Sequence, residues 1–300
     1  MGDIYRFFGL PSIEDFLINI LNGAIKVWND CFAEIARILT TAPQDFRIAF
    51  GSTSPAGTVW PFIVSANGYF QAIGAPLMVI FFFTGVVKTT TFQEIKRPES
   101  AVRMIFRFII GQFIVTQGFN VTCTVFGLMS KMTSDVLATS GVSLSASIDL
   151  LPTDLLSFGF LTTFNSLAWL LLIIIAGIAA LVIIVLAYVI LLSVYARFFK
   201  LYVYAAFSPI PLASFGGDQS TWSIGQNFIK SFLAVMLEGV VVMLSLCIFA
   251  IMINTSTPPS GSGWGFFFMG LLLPMLFKFF LLFGTLKVSS KLARELLGLA

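Results

Sequence analysis

Histidine is missing from this chain, which removes the commonest metal ligand and the side chain that ordinarily moves protons near neutral pH. Charge is scarce as well. Asp, Glu, Lys and Arg together make up 10% of the residues, against about 25% in soluble domains. The three cysteines, Cys31, Cys123 and Cys247, show no paired or CxxC spacing, and two fall inside apolar stretches. Neither a disulfide framework nor a thiolate metal site is indicated. There is no Walker-type loop, no nucleophile with a base and no metal cluster, so the expectation is a protein that is not an enzyme and holds no cofactor.

What is present is hydrocarbon. Hydrophobic residues account for 58% of the chain and 34 of its 300 residues are Phe, more apolar surface than a water-soluble core can hide. From Ser166 to Ala196 there are 31 consecutive residues without a charge, which exceeds the roughly 20 needed to cross a ~30 Å hydrocarbon layer. The fold class expected is all-α: a polytopic membrane protein with five transmembrane helices, over about 62–87, 105–129, 161–196, 228–253 and 266–286, forming a membrane domain from residue 61 to 300. An external amino-terminal segment, residues 1–60, precedes it.

Orientation follows from the basic residues. The connections on one side (1–61, 131–160 and 254–265) hold five Lys or Arg, and those on the other, with the adjoining helix ends, hold twelve. The richer side is expected to be cytoplasmic. That places the amino terminus outside the cell membrane and the carboxyl terminus inside. The basic residues of the 88–103 loop read as orientation signals rather than nucleic-acid contacts.

The amino terminus lacks the basic start and continuous apolar run of a signal peptide. An amphipathic helix follows instead. Ile13, Phe16, Leu17, Ile20, Leu21, Ala24, Val27, Trp28, Phe32, Ile35 and Leu39 recur at steps of three and four, with Ser12 and Asp15 reading as a capped start. Its polar face is more acidic than basic, which favours a packing face against a neighbouring subunit over a helix lying flat on anionic lipid.

Polar residues at membrane depth are expensive, so they locate helix contacts or a pathway. The first span carries Asn67 and Gln71. The second carries Gln112, Thr116, Asn120 and Thr124 on one i,i+4 stripe. Antiparallel packing puts Asn67 at the depth of Thr124 and Gln71 at that of Asn120, as interhelical glue worth about 0.6 kcal/mol per contact; the alternative is a water-filled lumen, which an oligomer would favour. Glu238 and Lys278 are the deepest charges, about 15 Å and about 12 Å from the cytoplasmic surface at 1.5 Å per residue. Equal depth points to an intramembrane ion pair, unless Lys278 snorkels along its own stem.

Residues 197–232 form the most irregular segment. Its apolar first part is too short to span before Pro209 and Pro211 end it, and Gly216 and Gly217 relax the backbone. The chain should dip into the inner interface there, with Trp222 and nearby tyrosines at headgroup level.

The order here is a long central span, a basic end (Arg197, Lys200), an aromatic stretch with Ser208-Pro209-Ile210-Pro211, a glycine patch, and Gly225-Gln226-Asn227-Phe228-Ile229-Lys230 opening the next span. It resembles the TrbL-like polytopic inner-membrane subunits of type IV secretion systems, from about residue 60 onward, although the chain lacks the large carboxyl-terminal extension of the longest members. The resemblance implies a channel or platform subunit of a conjugative DNA transfer machine, present as a homo-oligomer. It implies partners among the secretion ATPases and the pilin-like and scaffold subunits, contact with membrane lipids, and transient contact with single-stranded DNA. Arg197, Lys200, Ser208, Pro209, Pro211, Gly216, Gly217, Trp222 and Lys230 would form its inner docking loop. A small-solute transporter, with paired broken helices and internal repeats, and a membrane assembly factor without a pathway are the alternatives.

Overall fold

A computed structural model describes residues 13–42, 59–91, 98–141, 166–254 and 273–299. Among them every regular element is helical: α1 Ile13–Thr40, α2 Val59–Thr91, α3 Pro98–Ser140, α4 Ser166–Phe207, the one-turn α5 Pro209–Leu212 with a 3₁₀ turn Ala213–Gly216, α6 Gln219–Asn254 and α7 Leu273–Leu296. Four helices are long and apolar enough to cross a membrane, over Val59–Lys88, Ile105–Ser140, Ile173–Phe207 and Ser220–Met252. The protein therefore has the architecture of a multi-pass membrane protein. Part of the expected fifth span, 266–272, lies outside the described residues, as does Ser12 of the expected helix cap. All four of these spans belong to helices longer than expected. α3 runs eleven residues past 129, where Ser130 to Ser140 carry few apolar side chains but no helix breaker, until Gly141 at φ +63 ends it, a conformation that glycine takes without strain.

The chain gathers into two compact units, one from 1–38, 135–194 and 242–289, the other from 39–134, 195–241 and 290–300. In the first, α1 is a packing element, and the surface it packs on belongs to its own chain. Trp28 is fully buried, with its ring 4.3 Å from that of Phe279 and 6.0 Å from that of Phe249. These distances suit tilted aromatic pairs. The other side of α1 carries a bidentate Glu34–Arg37 pair at 2.6 and 2.8 Å, half-exposed and worth little by itself. Burial, reinforced by the charges of Asp30 and Glu34, pushes the Cys31 thiol up, away from the thiolate that reacts.

In the same unit the uncharged run of α4 resolves into two faces. Ala176, Ala179, Ala180, Ile183, Ala187, Ile190 and Val194 are buried, while Ile174, Ile178, Leu181, Val185 and Leu192 are exposed. Small residues inside let helices approach closely, as in membrane bundles. Large aliphatic residues are left for the hydrocarbon.

Candidate functional site

The second unit is built around a break in a helix. α4 cannot continue past Phe207, because Pro209 and Pro211 lack the N–H groups that would bond the carbonyls of Ala205 and Phe207. The chain turns through α5 and the 3₁₀ turn, then returns as α6. Tyr204 packs against Phe228 and Phe232, at 5.6 and 6.2 Å between ring centroids, so the two helices run antiparallel on either side of the break. A break at membrane depth exposes carbonyls that lipid cannot satisfy.

Asn67 on α2 supplies the donor. Its buried Nδ2 donates to Ala205 O at 2.9 Å, to Ala206 O at 3.3 Å and to Ser208 Oγ at 3.2 Å, while Ser208 Oγ donates back to Ala205 O at 2.9 Å. The carbonyl orphaned by Pro209 thus has two donors. Asn67 reaches this break from α2, which runs antiparallel to α3, with Phe82 4.8 Å from Phe108 and Trp60 5.6 Å from Phe119 between ring centroids. Its amide turns to α4 rather than to the polar stripe of α3, because the stronger need is at the break.

The segment after the break is wedged between α2 and α3, with glycines making the room. A Cβ on Gly74 would lie 2.9 Å from Pro209 O, and one on Gly111 would lie 2.8 Å from the backbone N and Cα of Gly216. Met78, Val115, Leu212, Ala213 and Phe215 form the apolar core of the wedge, and Trp222 closes it edge-on to Phe215 at 5.0 Å. Ser208, Pro209, Gly216 and Gly217 are buried and Pro211 is half-buried. These residues shape the segment and are not displayed to a partner, which corrects their reading as a docking surface. Nor does the segment lie only at the interface: it begins beside Gly74, midway along α2, and reaches Lys88, whose Nζ donates to Ser220 Oγ at 3.2 Å.

Arg197 also departs from expectation. It is 8% exposed, and its guanidinium lies on Gly239, where any Cβ would collide with it. Glu238 is the neighbour of that glycine in the chain, and the Phe198 ring centroid is 6.0 Å away. Nε and Nη1 are buried without a hydrogen-bond partner among the described residues. Arg197 and Glu238 fall in the same unit, while Lys278 belongs to the other. Tyr202 packs beside Trp60 at 6.2 Å, so Arg197 and Lys200, which precede it on a helix parallel to α2, lie toward the Trp60 end. They are not on the Lys88 side assumed in the count of basic residues.

Gln71 is half-buried, whereas Gln112, Thr116, Asn120 and Thr124 are exposed on the face of α3 opposite its packed side. Lys200 and Lys230 are exposed too. Among the described residues no group of three or more His, Cys, Asp or Glu stands close enough to hold a metal. The Asn67 cap and the Gly239 seat escape a reading of the sequence. A lone amide in an apolar span, in a chain whose proline orphans a carbonyl elsewhere, is the only signal for the first; a buried arginine's seat leaves none. No protein-family model, characterised protein or solved structure matches the chain.

Proposed function

We propose that the chain is a multi-copy channel or platform subunit of a type IV secretion machine that transfers DNA. It would sit in the cytoplasmic membrane with five spans, the amino terminus outside and the carboxyl terminus inside. The observation that best supports this reading is the wedge itself. The stretch that carries the resemblance, Arg197 to Lys230, builds a buried, specifically capped break in a membrane helix, and a protein that merely anchored a complex would need only a turn. Lys88, Ser220 and Ser223 are exposed at the end where the wedge emerges, and ATPases or scaffold subunits would dock there. Arg197 and Lys200 fall inside the candidate span Ile173–Phe207, and leaving them out sets the basic residues at ten against five, still favouring a cytoplasmic carboxyl terminus.

The test is a mating assay in a deletion strain complemented with the wild-type gene or with a Pro209→Ala, Pro211→Ala variant. Two restored N–H groups would let α4 run on and pull Ala205 away from Asn67. Insertion should survive, because the flanking spans are unchanged, and DNA transfer should collapse. Normal transfer by the deletion itself would remove the assignment, and normal transfer by the variant would remove the role of the wedge. A helix break of this kind also suits a small-solute transporter; intact conjugation together with altered solute uptake in the deletion strain would favour that reading instead.

A further inference from the structure

α3 exposes a stripe of polar groups among apolar ones such as Ile109, Phe113 and Val121, where the exposed face of α4 is mainly hydrocarbon. The outer face of α4 is made of residues such as Ile174, Ile178, Leu181, Val185, Leu192 and Val203, the surface expected against lipid. On α3 the exposed face carries Gln112, Thr116, Asn120 and Thr124, with Gln117 half-exposed at its edge. These residues fall within the 23 uncharged positions between Arg107 and Lys131 and in the candidate span Ile105–Ser140. Gly111, one position before Gln112, packs near Met78, and Phe119, one before Asn120, packs on Trp60. Gln112 therefore lies near the level of Met78 on α2 and Asn120 near that of Trp60.

The hydroxyls are satisfied within the helix: Thr116 Oγ1 donates to Gln112 O at 2.6 Å and Thr124 Oγ1 to Asn120 O at 3.0 Å. The amides are not. Asn120 Nδ2 donates to Gln117 Oε1 at 2.8 Å, which leaves the Gln117 NH₂ group, the Asn120 side-chain carbonyl and the whole Gln112 amide without a partner among the described residues. An amide without a partner in hydrocarbon costs several kcal/mol on the order-of-magnitude scale for apolar transfer, so this face is covered by protein or by water.

We propose that the face is covered by the same face of a second copy of this chain, α3 against α3. Both donors and acceptors are left over on one surface, so the surface is complementary to itself, as a two-fold interface requires. A shallow groove of about 390 Å³ bordered by Phe108, Ile109, Gln112, Phe113, Thr116 and Gln117 gives a facing helix a place to seat its side chains. The proposal rests on the secretion reading only in that both require more than one copy, and it names the surface that joins them.

The experiment uses the full chain in native membranes, with Cys31, Cys123 and Cys247 replaced and single cysteines introduced at Gln112, Thr116, Asn120 or Thr124. Matching cysteines at Ile178 and Leu181 on α4 serve as the comparison. Oxidation should yield a dimer-sized species several-fold more strongly from the α3 positions than from the α4 positions. A second variant, Gln112→Leu with Gln117→Leu and Asn120→Leu, removes the unpaired amides without touching the packed side of α3; it should abolish cross-linking through Thr116→Cys and reduce the size of the solubilised complex. Labelling of the stripe by a membrane-impermeant thiol reagent without cross-linking would show water there and overturn the proposal. Neither labelling nor cross-linking, or association unaffected by the three leucines, would overturn it equally. Cross-linking in a protein whose deletion leaves DNA transfer intact would uphold this interface and remove the secretion reading alone.

Discussion

At the scale of single residues, Asn67 carries the largest expected effect. Asn67→Leu keeps the branching at Cγ and removes the donor, so the Ala205 carbonyl loses its bond from α2 in a buried site. A loss of about 1–3 kcal/mol is expected, the usual cost of stranding one buried polar group. Gln71→Leu, one turn along and half-buried, should change stability by less than about 0.5 kcal/mol. Thermal unfolding of the two detergent-solubilised variants measures the contrast, and equal midpoints would show that Ser208 alone caps the break. The contrast was only half legible in the sequence. That both amides lie inside a span is plain from their neighbours, but which of them turns toward Pro209 depends on the rotation of α2, and that is set by where Gly74 and Met78 pack.

At the scale of elements, the wedge depends on how closely backbones approach. Gly111→Ala would push a Cβ against the backbone of Gly216, 2.8 Å away, and backbone held on both sides cannot give. Overpacking of this kind costs about 1–3 kcal/mol. Gly118→Ala meets only Leu212 Cδ1, at 2.6 Å, the free end of a side chain that can rotate, and alanine recovers roughly 0.5–1 kcal/mol of helix propensity. The first variant should unfold at a lower temperature than wild type and the second close to it. A reversed order would mean that α3 and the 3₁₀ turn are less tightly held than their spacing implies.

For the whole molecule, orientation is the prediction that the basic residues carry. Single cysteines at Ser143 and Ser262 should react with an impermeant thiol reagent on intact cells, and one at Ser100 should react only after lysis. Reaction of Ser100 alone on intact cells would invert the topology. The test bears on the proposed function too, since docking to cytoplasmic ATPases requires the Lys88 end of the wedge to face inward.

The sequence by itself determined that this is a helical protein of the membrane, because runs such as Ser166 to Ala196 leave no other place for so much hydrocarbon. It also determined the amphipathic stripe of α1 and the place where α4 must stop, since periodicity and the chemistry of proline are local properties. Only the tertiary structure decided that the α1 stripe packs on its own chain, through Trp28, Phe249 and Phe279. It decided too that the prolines and glycines after Phe207 are buried in a wedge rather than offered at a surface, and that Arg197 lies inside against Gly239. Each of these depends on which helix faces are brought together by residues far apart in the chain. Composition and spacing record how apolar a face is, but the neighbour that covers it is chosen by packing.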